Sequence, residues 1–365
     1  MATSYVASVV RTASDLEPLK TEWNALADRA ETPLLGHEWF SSCAHTLSSE
    51  GQLRVVTIRR HDQLVGVAPL VLKAGHGAPR LELLGMAALH EPSGFLFADA
   101  VALEELVGVV AELGLPLVLQ RLDSDSPLPQ VLRRVLPWPG VVLTKPTAPS
   151  LSVPVLTTWA EYHVGLSSRI TGNLRRLKAR ADQLGGTTVE VLSPKESDVD
   201  SMLELVMAVE GSGWKGAAGS AIQRKAGLRA FFFTYSRLAA RLGVLRIALL
   251  RFGNQLAAVE LAVEAYRRWW QLKIGYLDEL SRFYPGLQLT EATIRYAFDH
   301  SLRSYEFLGS AAGWEERWRP KPHPCCMAIA YPRSLNGVRA LSADAWHAGR
   351  KRIANFAHGF DRPEP

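Results

Sequence analysis

The sequence predicts an α/β (α+β) fold of two related domains, each with a mixed, mostly antiparallel sheet flanked by helices. The main observation is a repeat, because residues 53–71 and 245–263 align without a gap. The identical pairs are Leu53/Leu245, Arg54/Arg246, Arg59/Arg251, Gln63/Gln255, Leu64/Leu256, Val67/Val259 and Val71/Val263. In both segments an apolar strand meets a polar turn and a second apolar strand follows, which is typical of a tight antiparallel hairpin. A repeat at one long offset indicates a duplicated domain, and two facing domains create a cleft in which a ligand can bind.

The first half continues this pattern in chain order. We predict helices over residues 15–27, 37–47 and 103–113, and strands over residues 80–84, 94–97 and 116–120 besides the hairpin. Prolines between residues 127 and 149 then interrupt the chain repeatedly. We therefore predict a boundary near residues 147–152, with an N-terminal domain (1–150), a C-terminal domain (151–335) and an appended basic helix or tail (336–365).

The second half repeats the order of the first. We predict helices over residues 159–165, 169–180, 196–209, 225–242 and 290–301, strands over residues 188–192, 267–276 and 305–308, and a last helix over residues 343–356. A glycine-rich loop is predicted over residues 210–219, and a Tyr-Pro-Gly turn at residues 284–286 precedes a helix.

Composition indicates an ordinary globular chain. Of its 365 residues, 47% are apolar and 21% are charged, which is not a signature of disorder. Cys43, Cys325 and Cys326 have no metal-ligand spacing, and His323 beside them lacks a second ligand pair, so we predict reduced thiols and no metal. No apolar run is long enough to span a bilayer and the N-terminus has no signal-peptide pattern, so we expect a cytoplasmic protein.

The net charge of +5 is mild, but one segment concentrates it. Residues 169–180 carry Arg169, Arg175, Arg176, Lys178 and Arg180 without an acidic residue, and Leu174 and Leu177 share one helical face. The basic groups therefore lie on the opposite face, which is either a solvated surface or a surface that faces phosphate. We also expect that the protein can contact a membrane surface peripherally, and we expect no nucleic-acid partner.

The order helix–helix–hairpin–strand–helix–strand is similar to that of the GNAT acyltransferases. Several segments resemble the CelD-like acetyltransferases, a branch of that superfamily, and together they cover residues 20–320. They are Trp23 with Leu26, residues 37–39 (HEW), 64–70 (LVGVAPL), 173–176 (NLRR), 210–216 (EGSGWKG), 284–287 (YPGL), 305–309 (YEFLG) and Trp318. The resemblance implies tandem GNAT domains, as in Fem-type aminoacyltransferases, and acylation of amino groups on sugars or lipids, as in some bacterial ceramide synthases.

The resemblance also implies a CoA thioester as co-substrate, either acetyl-CoA or a longer acyl-CoA. A helix that begins at Pro285-Gly286 suits its diphosphate, because helix N-termini favour anions. The GNAT pattern at this turn is Gln/Arg-x-x-Gly-x-Gly/Ala, whereas this chain has Ser281-Arg-Phe-Tyr-Pro-Gly286, so an ordinary capped turn is the alternative. The predicted cofactor residues are Arg169, Asn173, Arg176, Tyr276, Pro285, Gly286 and Leu287.

Acyl transfer to an amine needs a group that accepts the amine proton. Glu210 is the first candidate, with Trp214 as an apolar wall and Lys215 as a nearby cation; a solvated surface glutamate is the alternative. His90 and Glu91 form a second candidate pair on a polar loop of the first half, and the alternative there is an ordinary turn. His37 is a further candidate for the substrate site.

Three functions remain open. The first is an acyl-CoA-dependent N-acyltransferase that acts on the primary amine of an amino sugar or of a long-chain amino lipid. The second is a Fem-type aminoacyl-tRNA-dependent ligase, although we find no long inserted helical hairpin of the kind that grips tRNA. The third is a degenerate, non-catalytic GNAT module that binds CoA or another ligand.

Overall fold

The strands of the chain form one continuous mixed sheet. The structure is a computed structural model and describes residues 4–136, 140–212, 226–309 and 313–359. Its 13 described strands are ordered β1-β2-β3-β4-β6-β13-β7-β12-β11-β10-β9-β8, and β5 pairs with β3 beside this path. The mixed α/β fold that the sequence predicts, with helices flanking a mostly antiparallel sheet, is confirmed.

The first half contains the predicted strands and helices in order, together with two strands and two helices that were not predicted. The strands are β1 (Tyr5–Val10), β2 (Leu53–Arg60), β3 (Gln63–Lys73), β4 (Arg80–Leu83), β5 (Leu96–Phe97), β6 (Leu117–Asp123) and β7 (Val141–Pro154). The helices are α1 (Lys20–Ala27), α2 (His37–Thr46), α3 (Met86–Leu89), α4 (Ala100–Glu112) and α5 (Leu128–Val135).

The second half follows with its own set. The helices are α6 (Trp159–Gly165), α7 (Ser168–Asp182), α8 (Val199–Ser212), α9 (Ala226–Arg241), α10 (Pro285–Asp299) and α11 (Leu335–Gly359). The strands are β8 (Thr187–Leu192), β9 (Leu245–Phe252), β10 (Gln255–Ala265), β11 (Arg268–Tyr276), β12 (Ser304–Glu306) and β13 (Lys321–Tyr331). Helix α8 continues through Ser212, so the predicted loop over residues 210–219 begins inside a helix.

The two hairpins match in register as well as in sequence. Leu53 pairs with Val71 and Leu245 pairs with Val263. Each hairpin also has one extra residue in its second strand, a β-bulge at Val65 in the first copy and at Ala257 in the second. These two residues are separated by the offset that relates the hairpins, so the duplication extends to an irregular backbone feature.

The two halves exchange a strand at the middle of the sheet. β13 pairs with β6 of the first half on one side and with β7 on the other, and β7 then pairs with β12 of the second half. The proline-rich segment that we interpreted as a series of chain breaks thus contains a 14-residue strand. The predicted division between residues 150 and 151 lies inside this strand, and the domain limits stay a prediction.

Helices cover both faces of the sheet. Helices α1, α2, α8 and α9 share one apolar core on one face, which joins residues such as Trp23 and Trp39 to Phe231 and Leu261. On the other face, α4 and α5 cover the first half and α6, α7 and α10 cover the second. None of the described helices combines the length and the apolar character needed to cross a membrane.

Candidate active site

Strands β11 and β12 run parallel and then separate, which opens a gap in the sheet. They pair only from Arg268 to Trp270, opposite Ser304 to Glu306. Beyond that point β11 continues to Tyr276, whereas β12 ends at Glu306 and the Phe307 amide donates to the Leu151 carbonyl of β7. Unpaired strand edges inside a sheet offer backbone N–H and C=O groups to a ligand, so this gap is a candidate binding site.

Two side chains of the first half hold the far edge of this gap. The Glu91 carboxylate accepts a hydrogen bond of 2.6 Å from the amide of Gly309. The Arg121 guanidinium donates to the Gly309 carbonyl and, at 2.8 Å, to the Ala148 carbonyl. Gly309 is therefore fixed through both its backbone groups by residues that lie outside its own half.

A cavity of about 310 Å³ lies at the open end of the gap. Its lining comes from β11, from the end of α8, from the first turns of α10 and from the segment after Gly313. The lining residues are Glu210, Ile274, Gly275, Tyr276, Tyr284, Gly286, Leu287, Thr290, Trp314 and Arg317. A second cavity of about 400 Å³ adjoins it around Ser281 and Arg282 and shares Tyr276, Tyr284, Gly286 and Leu287.

The turn before α10 is held rigidly at the mouth of this cavity. Tyr284 has a φ of 50° and Pro285 occupies the first position of the helix. The Gln288 side chain donates to the Phe283 carbonyl at 2.9 Å, and the Thr290 hydroxyl donates to the Gly286 carbonyl at 2.9 Å. Because the first turn of α10 contains no acidic residue, this helix N-terminus is available to an anion.

The matching helix of the first half differs at this point. α4 is capped by Asp99, whose carboxylate accepts a 2.8 Å hydrogen bond from the Ala102 amide and pairs with Arg60 at 2.8 Å. These hydrogen bonds lower the pKa of Asp99, so its carboxylate is charged at neutral pH. A negative charge already occupies that helix N-terminus, which disfavours a second anion.

Four of the predicted cofactor residues meet at this site. Tyr276, Gly286 and Leu287 line the cavity, Pro285 begins the helix beside it, and a methyl group on Gly286 would lie 3.4 Å from the Tyr276 ring. The structure places Arg169, Asn173 and Arg176 elsewhere, on α7, and they are not among the residues that line either cavity. Arg175 and Lys178 of the same helix line a separate groove of about 720 Å³ between α7 and α10.

Several lining residues were not predicted from the sequence, and Arg282, Trp314 and Arg317 are three of them. Arg282 lies beside the turn, with its guanidinium 4.8 Å from the centre of the Phe283 ring. Trp314 and Arg317 line the cavity from the segment after Gly313. Arg282 stands within the segment that replaces the GNAT glycine pattern, and that position was a signal we could have used.

Glu210 is brought to the cavity by the last turn of α8. It is buried, and the Ser212 hydroxyl donates to the Tyr276 carbonyl at 3.1 Å, which ties this helix end to β11. Trp214 and Lys215, the two residues predicted to act with it, lie outside the described residues. Glu210 is thus the only one of these three whose position the structure describes.

The other predicted site residues have different environments. Glu91 is buried, and burial raises its pKa against the opposing effect of Lys273. His90 is exposed at the end of α3 with a φ of 57°. His37 is buried in the first half, where its Nε2 lies 2.9 Å from the Leu16 carbonyl, and the structure does not bring it to the cavity.

A buried carboxyl group that was not predicted from the sequence lies on β10, the neighbour of β11. Glu260 on β10 accepts hydrogen bonds from Trp269, Gln271, Thr293 and Tyr305 at 2.7–3.1 Å. Burial raises the pKa of Glu260 to about 7. These partners belong to β11, α10 and β12, so one carboxylate connects the elements around the gap. In the sequence, Glu260 is the lone charged residue of the apolar run over residues 256–263, and that pattern could have indicated its burial.

Comparison with known proteins agrees with this geometry. Residues 168–316 match the family described as an acetyltransferase (GNAT) domain. This segment is similar to a GNAT domain. The match includes α8, the gap, the turn before α10 and Arg282, and of the residues that line the two adjoining cavities only Arg317 lies beyond it. No curated protein sequence matches the chain at a significant level.

Solved structures with the same fold span nearly the whole chain. FemX is similar with a TM-score of 0.57 and 12% identity, over 86% of this chain and 96% of that protein. The C-terminal domain of a putative lysylphosphatidylglycerol synthetase from Agrobacterium fabrum has a TM-score of 0.56 and 10% identity, over 92% and 96%. L-PGS from Bacillus licheniformis has a TM-score of 0.53 and 11% identity, over 90% and 97%.

At such low identities the solved structures establish the fold. The GNAT-like fold in two halves is confirmed, and the prediction of a GNAT-type N-acyltransferase is confirmed through the family match.

Proposed function

We propose that this chain is a CelD-like enzyme that transfers an acyl group from acyl-CoA to a primary amine on an amino sugar or a long-chain amino lipid. The observation that carries the proposal is the gap between β11 and β12, with an acid-free helix N-terminus at its open end. The gap can hold the extended pantetheine arm of acyl-CoA, and the helix N-terminus can bind its diphosphate.

The residues at this end of the sheet fit acyl-CoA. The first turn of α10 at Pro285, Gly286 and Leu287 would hold the diphosphate, with Arg282 as a cation that lines the adjoining cavity. Tyr276 and Gly275 would contact the arm where it enters along β11. Bound acyl-CoA supplies the thioester carbonyl that the amine attacks. An arm that enters at Tyr276 and follows β11 carries that carbonyl toward the point where β11 and β12 begin to separate.

Proton transfer is assigned to Glu210. A primary amine is almost wholly protonated at neutral pH and must lose a proton before it can attack. The Glu210 carboxylate lines the cavity from the face opposite α10, so it can accept that proton directly or through one water. His90 of the first half is the competing assignment.

A Fem-type aminoacyl-tRNA-dependent reaction is the second candidate, since FemX shares the fold. Against it, the described residues contain no long helical hairpin inserted into either half. A non-catalytic ligand-binding module is the third. Residence in the cytoplasm and contact with a membrane surface also remain proposals.

Ligand binding and turnover separate these candidates. Isothermal titration with CoA, acetyl-CoA and palmitoyl-CoA is expected to show binding that Gly286→Val weakens at least tenfold, because the added side chain enters the cavity. Gly172→Val is the matched control, since a Cβ there meets no atom within 4 Å. Release of free thiol in the presence of an amine would establish transfer. Binding without release favours the non-catalytic module, and binding of aminoacyl-tRNA instead of any CoA ester favours the Fem-type reaction.

A further inference from the structure

A separate cavity of about 310 Å³ lies between the two halves, on the sheet face that carries α1. The first half contributes residues from two loops, including Thr32, Leu34, Ser93 and Phe95. The second half contributes Arg268, Trp270, Glu306, Leu308 and His323. None of these residues belongs to the predicted catalytic, substrate or cofactor residues, and none lines the donor site.

The floor of this inter-half cavity is polar although it lies over the middle of the sheet. Glu306 is 7% exposed and accepts a hydrogen bond from the Ser304 hydroxyl. One Arg268 nitrogen and His323 Nε2 each lie 4.0 Å from the Glu306 carboxylate. The His323 ring is positioned by a 2.7 Å contact with the Ser152 hydroxyl. A carboxylate, a guanidinium and an imidazole thus converge at the floor of the cavity.

Half of the 16 residues that line the cavity have polar or charged side chains, and Asp123, Ser126 and Ser150 are among them. An alkyl chain would displace water from these groups without replacing its hydrogen bonds, at a cost, whereas ligand hydroxyls can replace them. Acidic and basic groups both line the cavity, so it has no excess charge that selects a phosphate. Trp270 and Phe95 add apolar ring surface, against which the apolar face of a sugar ring can pack.

The position of the cavity relates it to the gap. Trp270 and Glu306 form the last pair of β11 and β12 before the strands separate, and both line the inter-half cavity. Leu308 also lines it, and the next residue, Gly309, is held by Glu91. A thioester that reaches the point of separation would therefore lie next to this cavity.

We propose that the inter-half cavity is the acceptor site, and that it binds a hydroxylated ring of the amino-sugar class rather than a long-chain amine. This inference rests on the proposed function, because it takes the gap as the donor site. Glu306 would accept a hydrogen bond from a ring hydroxyl, and Trp270 would contact the apolar face of the ring.

Saturation-transfer NMR on the full chain with bound CoA tests this, with D-glucosamine and dodecylamine as the two probes. Glu306→Gln removes the charged acceptor, and Ser93→Leu fills the cavity from a surface loop. Both variants are expected to weaken glucosamine binding about tenfold or more. Glu306→Gln loses a hydrogen bond to a charged group, and the Ser93→Leu side chain occupies the space of the ring. Glu105→Gln, an exposed position on the outer side of α4, is the matched control and should leave binding unchanged.

CoA affinity is measured on the same samples and is expected to stay within twofold in both cavity variants. Undiminished glucosamine binding in Glu306→Gln and Ser93→Leu would overturn the inference, as would wild-type protein that binds no glucosamine. Dodecylamine binding that Ser93→Leu abolishes would also overturn it, in favour of a lipid acceptor. If wild-type protein binds glucosamine but no CoA ester, the cavity assignment holds and the proposed function fails.

Discussion

The backbone of Glu210 crosses directly over Gly275, and a methyl group at position 275 would lie 2.6 Å from the Glu210 Cα. No ordinary Cβ contact is that short, so β11 has glycine where the last turn of α8 rests on it. The contact brings a carboxylate from a helix to the edge of the gap. It also explains why Glu210 and β11 line the same cavity although 65 residues separate Glu210 from Gly275 in the sequence.

Gly275→Ala should therefore destabilise the protein. We expect a loss of about 1–3 kcal/mol in the free energy of unfolding, because backbone atoms must shift to admit the methyl group. Gly172→Ala is the control, since Gly172 lies inside helix α7 with open space around it. That change should be neutral or add up to about 1 kcal/mol. Urea unfolding measures both, and equal effects would show that the close approach has no energetic role.

Glu210→Gln should lower turnover by roughly a hundredfold or more at pH 7, because it keeps the shape and removes the proton acceptor. Part of the activity should return as the pH rises toward the pKa of the amine, where less of the amine needs deprotonation. His90→Ala is the competing test. Near-normal turnover in Glu210→Gln together with loss in His90→Ala would assign the base to the first half.

Charge reversal at the turn should weaken CoA binding. We expect Arg282→Glu to raise the Kd about tenfold at low salt, and the effect should shrink as added salt screens the contact. Arg176→Glu tests the sequence-based prediction that the basic helix binds phosphate. Its guanidinium is exposed on α7 and donates to the Gly172 carbonyl at 3.3 Å. Isothermal titration at two salt concentrations compares them, and unchanged affinity in Arg176→Glu would remove α7 from the donor site.

Glu260 should make stability depend on pH. Its pKa is about 7 in the folded protein against 4.5 as its ordinary value, so the folded state retains a proton that the unfolded state loses. The free energy of unfolding should therefore fall as pH rises from about 4.5 to about 7, by roughly 3 kcal/mol. Glu260→Gln cannot titrate and should lack this slope. Chemical unfolding between pH 4.5 and 8 measures both proteins, and parallel curves would contradict the assignment.

The last helix provides a test of membrane contact. Leu335, Val338 and Trp346 of α11 are exposed and lie within a narrow arc of the helix, near the basic residues Arg339 and Arg350. We expect binding to vesicles that contain anionic lipid, little binding to neutral vesicles, and a severalfold loss in Trp346→Ser. Val101→Ser, an isolated exposed position on α4, should bind as wild type does. Equal flotation of the two variants would argue against contact through this helix.

The sequence by itself determined the elements whose signals are local. Alternating apolar residues around short polar turns predicted both hairpins, and their shared residues predicted the duplication that the matching bulges at Val65 and Ala257 reflect. The Tyr-Pro-Gly turn correctly marked the start of α10, because proline sets the backbone angle of the first helical residue. Helix α7 was predicted within two residues of its observed ends.

Only the tertiary structure decided where the halves join and which groups meet. Strands β7 and β13 contain prolines that resemble chain breaks, and each pairs with a strand far away in the sequence, so no local pattern predicts them. In the sequence Glu260 and Glu306 are isolated acidic residues, and only the sheet register shows which groups surround them. Glu91 reaches Gly309 only because the first half packs against the end of β12. Hydrophobic periodicity specifies which face of an element is buried, whereas the partner on that face depends on long-range packing.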